Sequence, residues 1–379
     1  MSEAAMLSAV SPWELPVYAW WGLAAVCAVL VLGVYPALVL RKYVGIMINL
    51  IDEQAPDPGA DSRGANGIVG EPIEFSAADG HPLHGFLLRG NPDRPRRGLI
   101  IFAHEFDSDH RSCLRYCRFL QDAGYDLFTF DFRGHGLSAS EPGYKPRQWA
   151  SDRELADMTG AIRCMCDNLE GRGLPRVLAL FGVSRGAGAA ILASVRAPEV
   201  EAIIADSAFS SDTTLEYLMK RFATIFARIR VVAENHPPTF WRFLRWLLFR
   251  EFRRRFGCEF PSVRKAMRRL GRRPVLLIHG GRDSYIPTSQ SQLLYDRALG
   301  PKQLWIVPDA RHNQSILTEP REYQRRVLDF LDEHLAWKSA IVSPTVRIRP
   351  ADRATVMPAL ATSRGGSPSA VPAAAAQDS

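Results

Sequence analysis

The sequence predicts an α/β protein, a mostly parallel sheet with helices on both faces, and two observations support this class. Apolar runs of strand length alternate with segments of helical period through most of the chain. One strand-to-helix junction carries Gly182-Val183-Ser184-Arg185-Gly186, a tight turn that holds a nucleophilic side chain. A basic helical insertion interrupts the alternation, and an uncharged N-terminal run adds a further helix.

The alternating runs define one domain, which we expect over residues 71–338. With 379 residues and 47% hydrophobic content, the chain can bury one large core. Asp79-Gly80 joins two short runs as a hairpin that would form one edge of the sheet. The predicted strands are 73–77, 83–88, 98–103, 125–132, 176–181, 200–205, 275–279 and 303–307. The predicted helices between them are 111–123, 151–169, 185–197, 289–299 and 321–335.

A helical cap is predicted over about residues 210–273, where the alternation stops. Two segments, 213–230 and 239–256, have helical period, and the second mixes large aromatic residues with arginine. Between Lys220 and Arg273 there are sixteen lysines and arginines but only three acidic residues, so the rest of the chain is net acidic. This local charge indicates a surface for a specific anionic partner rather than a nucleic-acid-binding protein.

The N-terminal run 17–40 has no charged residue and is long enough to span a bilayer. Trp20 and Trp21 lie near one end of it and Tyr35 near the other, as interface residues do. A cleaved secretory signal is the alternative, but no Lys or Arg precedes the run and no small-residue cleavage pattern follows it. The run therefore predicts a retained single-pass membrane anchor.

The charges that flank the anchor predict its orientation. Arg41 and Lys42 follow it directly, whereas only Glu3 and Glu14 precede it, so the positive-inside rule places the domain in the cytoplasm. The remaining segments have compositions typical of flanks and linkers. They are an N-terminal flank at 1–16, a linker at 41–70 and a disordered tail at 339–379.

The six cysteines have no regular spacing, which argues against a disulfide framework. Cys113 and Cys117 are one helical turn apart, which is compatible with a metal or redox site but more typical of small buried thiols. We expect no metal and no cofactor.

The segment around Ser184 has the form of a nucleophile elbow. The apolar run that ends at Phe181 predicts a strand, and the small and aliphatic residues after Gly186 predict a buried helix. A turn this sharp holds the serine in a strained backbone conformation and exposes its hydroxyl above the sheet edge. The N–H of Arg185, at the start of the helix, is then available to a developing oxyanion.

With these motifs the chain resembles the α/β-hydrolase-fold serine hydrolases, in particular the membrane-anchored α/β-hydrolase-domain proteins. The segment His279-Gly-Gly-Arg-Asp283-Ser-Tyr-Ile-Pro is similar to the family's His-Gly-x-x-Asp-x-x-Val-Pro stretch, and Leu304 to Ser315 resembles its final strand and histidine loop. The resemblance implies Asp283 as the acid and His312 as the general base for Ser184. From its residues alone, Asp283 could instead be a turn or N-cap aspartate.

The oxyanion hole is where the sequence departs from that family. By the resemblance its two donors are the backbone N–H groups of Phe106 and Arg185. The family usually has His-Gly-x-x here, whereas this chain has His104-Glu105-Phe106-Asp107. A carboxylate beside a forming oxyanion opposes catalysis, so we expect Glu105 to pair with a cation, such as Arg185 or an arginine of the insertion, or to face solvent.

Two other acidic loops resemble family segments, and we expect both to be structural. Asp131-Phe-Arg-Gly-His-Gly would form a glycine-shaped turn. Asp206 follows a strand and could serve as a substitute acid, although support of the active-site loop suits it better.

The resemblance and the charge pattern together predict a membrane-anchored serine hydrolase that cleaves ester or thioester substrates through an acyl-Ser184 intermediate. The expected partners are a small or lipid-like acyl substrate and the membrane, reached by the anchor and the basic aromatic cap helix. A serine peptidase of the same fold and a catalytically weak hydrolase-fold binding protein are the alternatives.

Overall fold

The computed structural model describes residues 16–53, 68–226 and 237–335 and contains an eight-stranded sheet. The strand order is β1-β2-β4-β3-β5-β6-β7-β8. The β1–β2 hairpin is antiparallel and pairs antiparallel with β4, and every other neighbouring pair is parallel. The strands are β1 (Glu71–Ser76), β2 (Pro82–Leu88), β3 (Gly98–Ala103), β4 (Tyr125–Phe130), β5 (Leu178–Val183), β6 (Val200–Asp206), β7 (Val275–Gly280) and β8 (Lys302–Val307).

The central strands explain why helices cover both faces. Every residue of β3, β4, β5 and β7 is buried, which a strand achieves only when both sides of its sheet are covered. Around the sheet lie α3 (Ser112–Asp122), α4 (Asp152–Gly171), α5 (Arg185–Ser194), α9 (Ser289–Arg297), α10 (Ser315–Thr318) and α11 (Pro320–His334). The predicted α/β class is correct, and element boundaries differ from prediction by only a few residues. Cys113 and Cys117 are buried in this core.

The N-terminal helix is longer than the sequence predicted. It comprises α1 (Val17–Val29), a π-helical segment (Leu30–Val34) and α2 (Tyr35–Glu53). Its Val17–Val34 part has a mean hydropathy of 2.1, none of it is buried in the protein, and it is long and apolar enough to cross a membrane. The predicted linker 41–70 therefore begins as helix, because Val44 and Ile48 bury their side chains against the cap.

The cap lies between β6 and β7, as predicted. It contains α6 (Ser211–Phe226), α7 (Pro238–Phe256) and the short α8 (Val263–Arg269). The periodicity missed α8, which Ser262 caps by accepting the Lys265 N–H. A second hydrophobic cluster, separate from the sheet core, joins α7 to α6, α2 and Trp149. The predicted flank (apart from Pro16), linker residues 54–67, cap residues 227–236 and the predicted tail lie outside the described residues.

Candidate active site

Ser184 lies between β5 and α5 with φ 51° and ψ −112°. This is a left-handed φ that a non-glycine residue rarely adopts, as expected for a nucleophile elbow. The flanking glycines permit the turn. A Cβ on Gly186 would overlap the Ala103 carbonyl oxygen, and one on Gly182 would overlap the Ala187 backbone. The turn therefore places the hydroxyl at the carboxyl end of the sheet, against the loop that follows β3.

The structure brings the three predicted catalytic side chains into one hydrogen-bonded line. Ser184 Oγ lies 3.0 Å from His312 Nε2, and His312 Nδ1 lies 2.6 Å from Asp283 Oδ2. Asp283 follows β7 and His312 follows β8, so parallel neighbouring strands deliver both side chains to the same sheet edge. With Nδ1–H donating to the carboxylate, Nε2 is left to accept the serine proton.

Asp283 is held as an anion. Burial raises the pKa of its carboxyl, but hydrogen bonds from His279 and His312 outweigh burial and lower the pKa well below its usual range. Oδ1 also accepts the backbone N–H groups of Tyr285 and Ile286, each at 2.8 Å. The sequence alone assigned no role to His279, although this residue begins the His279–Asp283 segment that resembles the family. Its Nε2 lies 3.3 Å from Asp283 Oδ2.

His104 positions the peptide unit that carries one predicted oxyanion donor. Its Nε2 accepts the Phe132 N–H at 3.2 Å, so the proton lies on Nδ1, 2.7 Å from the Glu105 carbonyl oxygen. Burial, with a contribution from the positive charge of Arg185, lowers the pKa of His104 to about 3, so the ring is neutral. Because the Glu105 carbonyl and the Phe106 N–H belong to one peptide plane, the bond from His104 fixes the direction of that N–H.

Arg185 is one of the two predicted donor residues, and its side chain contacts the other, Phe106. Its own N–H opens α5 and has no carbonyl one turn earlier to bond. Its buried guanidinium lies 5.2 Å from the Phe106 ring and 5.1 Å from the Phe132 ring, within cation–π range. Its nearest carboxylate is Glu154, at 3.8 Å. One side chain thus holds the loop after β3 against the start of α5.

Glu105 lies beside a cation, as expected, but that cation is Arg115 of α3 rather than Arg185 or a cap arginine, and the side chain does not face solvent. Its side chain is buried against α3, where it accepts a hydrogen bond from Ser112 Oγ at 3.0 Å. The nearest cation is Arg115, whose Nη1 lies 4.0 Å from Oε1. Burial raises the pKa of Glu105, although Ser112 and Arg115 oppose the rise. A raised pKa favours the neutral acid, which is the form least harmful to an oxyanion.

Asp206 supports the histidine loop. It accepts hydrogen bonds from the hydroxyls of Tyr323 at 2.8 Å and Ser207 at 3.0 Å. Ser207 Oγ in turn accepts the N–H of Asn313, the residue after His312, at 3.3 Å. Full burial raises the pKa of Asp206 to about 6, against the opposing effect of these donors.

Asp131 supports the loop after β3 from the other side. Its carboxylate accepts the N–H groups of His110 and Leu137 at 2.7 and 2.8 Å. Asp109, His110 and Asp131 lie close enough to hold a metal ion. However, Asp109 is engaged by Arg111, and His110 Nδ1 bonds Asp131 at 2.9 Å, so the group is already internally paired.

Comparison with known proteins gives consistent results. A family model described as serine aminopeptidase, S33, matches residues 94–240. The uncharacterized protein YqkD of Bacillus subtilis is 27% identical over 260 residues, which cover 68% of this chain and 77% of YqkD. The putative esterase/lipase 2 of Mycoplasma genitalium is 24% identical over 262 residues, which cover 63% of this chain and 91% of that protein.

Solved structures share the fold. The Pyrococcus furiosus esterase Pf2001 aligns with a TM-score of 0.51 and 25% identity, over 70% of this chain and 91% of that chain. The α/β hydrolase GrgF from Penicillium gives a TM-score of 0.50 at 19% identity, over 71% of this chain and 100% of that chain. The chain thus has the α/β-hydrolase fold.

Proposed function

We propose that the protein is a serine hydrolase of the esterase or lipase type that cleaves carboxylic esters or thioesters through an acyl-Ser184 intermediate. The observation that carries this proposal is the unbroken line from Asp283 through His312 to a strained serine at a helix N-terminus. The similarity to an esterase of Pyrococcus furiosus and to a putative esterase/lipase supports the same reaction class.

In the proposed reaction, Ser184 Oγ attacks the ester carbonyl carbon while His312 Nε2 takes the hydroxyl proton. The carbonyl oxygen becomes an oxyanion that accepts hydrogen bonds from the N–H groups of Arg185 and Phe106. Collapse of this intermediate breaks the bond to the alcohol or thiol, which leaves with the proton from His312. Water then attacks the acyl-serine, giving up a proton to His312, and the acid is released as Ser184 regains its hydrogen.

Asp283 has an electrostatic role in both steps. Its carboxylate holds His312 in the tautomer that leaves Nε2 unprotonated, and it stabilises the imidazolium that forms during attack. This role requires a permanent anion, which its lowered pKa provides.

The same proposal includes a membrane anchor. The exposed apolar helix Val17–Val34 spans the bilayer, and Arg41 and Lys42 keep the hydrolase domain on the cytoplasmic side. An anchored hydrolase meets lipid-like acyl substrates at the membrane surface, which is the substrate class we propose.

A fluorophosphonate probe tests the nucleophile without a known substrate. We expect the full-length protein to be labelled and the Ser184→Ala variant to remain unlabelled at the same concentration. Equal labelling of the two would remove Ser184 as the nucleophile. An unlabelled but folded wild-type protein would favour the hydrolase-fold binding protein.

A second experiment, a comparison of substrates, distinguishes ester hydrolysis from peptide hydrolysis. The family model that matches the chain is described as a serine aminopeptidase, which is the reason to test an aminoacyl amide beside an ester. We expect turnover of p-nitrophenyl esters to exceed that of the amide. The reverse preference would identify a peptidase that uses the same three residues.

A further inference from the structure

The cap helix α7 (Pro238–Phe256) has two faces of different character. One face is buried and apolar, and Trp241, Leu248, Phe252 and Phe256 form much of the second hydrophobic cluster. The opposite face is exposed yet also aromatic, with 52% of Phe243 and 55% of Trp246 accessible to solvent. Large aromatic side chains at this exposure indicate a surface that contacts something else.

The exposed face is also basic. Arg250, Arg253 and Arg254 follow Phe243 and Trp246 along the same side of the helix, at the spacing of successive helical turns. The two rings stack at 5.9 Å, and the Arg250 guanidinium lies 5.6 Å from the Trp246 ring. The whole helix carries six arginines against one glutamate. Aromatic residues beside arginines are the composition of a helix that lies in the headgroup region of an anionic membrane.

The position of α7 relative to the N-terminal helix favours a membrane over other anionic partners. Val44 and Ile48 of α2 pack in the same cluster as the buried face of α7, and Arg255 donates to Asn49 Oδ1 at 3.2 Å. With a rise of about 1.5 Å per residue, Ile48 lies about 12 Å along the helix from Leu40, the last residue of the uncharged run. A helix held this close to the end of a membrane span lies within reach of the headgroups.

We propose that the exposed face of α7 docks on the anionic leaflet from which the N-terminal helix emerges. Phe243 and Trp246 insert at the boundary between headgroups and acyl chains, while the arginines bind lipid phosphates. This inference rests on the proposed membrane anchor and goes beyond it, because an anchor alone leaves the domain's orientation on the membrane open.

The buried face of α7 also contacts the segment next to the candidate active site. On its buried face, Phe252 packs on Trp149 at 6.1 Å, and Phe256 lies under the Arg147 guanidinium at 3.5 Å. The next residue after Trp149, Ala150, lines the small cavity beside Ser184. The segment 147–150 therefore connects the docking helix to the surroundings of Ser184, and the substrate class that docking on a leaflet would supply is an ester lipid.

Photo-crosslinking in vesicles tests the docking. The photoreactive residue p-benzoylphenylalanine replaces Trp246 in the full-length protein, reconstituted in vesicles of phosphatidylcholine with or without phosphatidylglycerol. Position 299 is the control for exposure, since Leu299 is exposed elsewhere on the domain, and position 30 reports insertion of the anchor. We expect at least about tenfold more lipid adduct at 246 than at 299 in anionic vesicles. Changing Arg250, Arg253 and Arg254 to alanine should lower the adduct at 246 severalfold.

The outcomes separate the two proposals. Lipid adducts at position 30 with only the background level at 246 would overturn the docking and leave the anchor intact. Loss of adducts at both positions would overturn the anchor, and the docking with it. A protein dimer crosslinked through 246 would show that the aromatic face binds a second copy of the chain instead of lipid. Thermal unfolding of each variant in detergent verifies that the domain is folded.

Discussion

Two buried carboxylates lie near Ser184, and they differ in what surrounds them. Asp283 receives hydrogen bonds from His279, His312 and two backbone N–H groups, and its pKa is lowered despite burial. Glu105 receives one from Ser112, with Arg115 at 4.0 Å, and burial raises its pKa. Burial alone therefore does not determine the charge of an acid. Hydrogen bonds and nearby charges act against burial, and here they outweigh it at Asp283 but not at Glu105.

The strongest test of this comparison removes the charge from Asp283. Asp283→Asn keeps the shape of the side chain, but the amide favours the wrong His312 tautomer. We expect kcat/KM for a p-nitrophenyl ester to fall about 10⁴-fold, near the loss in Ser184→Ala. Retention of more than about a tenth of the wild-type rate would assign Asp283 a structural role and leave His312 without its acid.

A third buried carboxylate, Asp206, extends the comparison to stability. Its pKa is about 6 in the folded state and near 3.8 in the unfolded chain. Between these values the folded state keeps a proton that the unfolded state has lost. The stabilisation that this bound proton gives the folded state is therefore complete below pH 4 and disappears as the pH rises through 6. Two pKa units correspond to about 3 kcal/mol in the free energy of unfolding.

Asp206→Asn isolates that contribution, because asparagine can still accept from Tyr323 but does not titrate. Denaturant unfolding of both proteins in detergent at pH 4.5 and pH 7 measures the difference. We expect the wild type to lose more stability than the variant on going to pH 7. Parallel changes in the two proteins would contradict the assignment of this proton to Asp206.

His104 tests whether the loop that contains Glu105 is positioned for catalysis. In His104→Phe the Glu105 carbonyl loses its hydrogen bond, so the Phe106 N–H is no longer held in one direction. Loss of an oxyanion donor costs about 10²–10³ in kcat, and a loosened donor should cost about 10-fold or more. The loss should appear in kcat, with KM little changed. His104→Asn, whose amide can donate to the same carbonyl, should recover part of the rate, whereas a purely structural role would not separate the two variants.

Glu105 itself should have the smallest effect. Glu105→Gln keeps a partner for Ser112 and removes any charge, so we expect a rate within about threefold of wild type. Because ionisation of the wild-type side chain increases with pH, the ratio of variant to wild-type rate should increase with pH. A glycine, usual in the similar family, should likewise not lower the rate. A sharp fall in Glu105→Gln would show that the carboxylate assists catalysis.

The sequence predicted the fold and candidate residues well where the signal was local. Short contiguous motifs identify Ser184, Asp283 and His312 as candidate catalytic residues. The structure brings all three side chains together. The orientation of Glu105 depends on Ser112, seven residues away on α3, so no local pattern could indicate it. Likewise, α2 continues to Glu53 because it packs on a cap helix distant in sequence.

The backbone of Ser184 has a consequence for the stability of the whole domain. A serine at φ 51° is held there by its surroundings at a cost of about 1–3 kcal/mol, a strain that persists in the resting protein. Glycine adopts this conformation freely and alanine does not. Ser184→Gly and Ser184→Ala should therefore be equally inactive yet differ in thermal midpoint, with the glycine variant the more heat-resistant. The strained backbone of Ser184 is therefore needed for activity but lowers thermal stability. Selection for thermal stability alone would favour glycine at this position and remove the nucleophile.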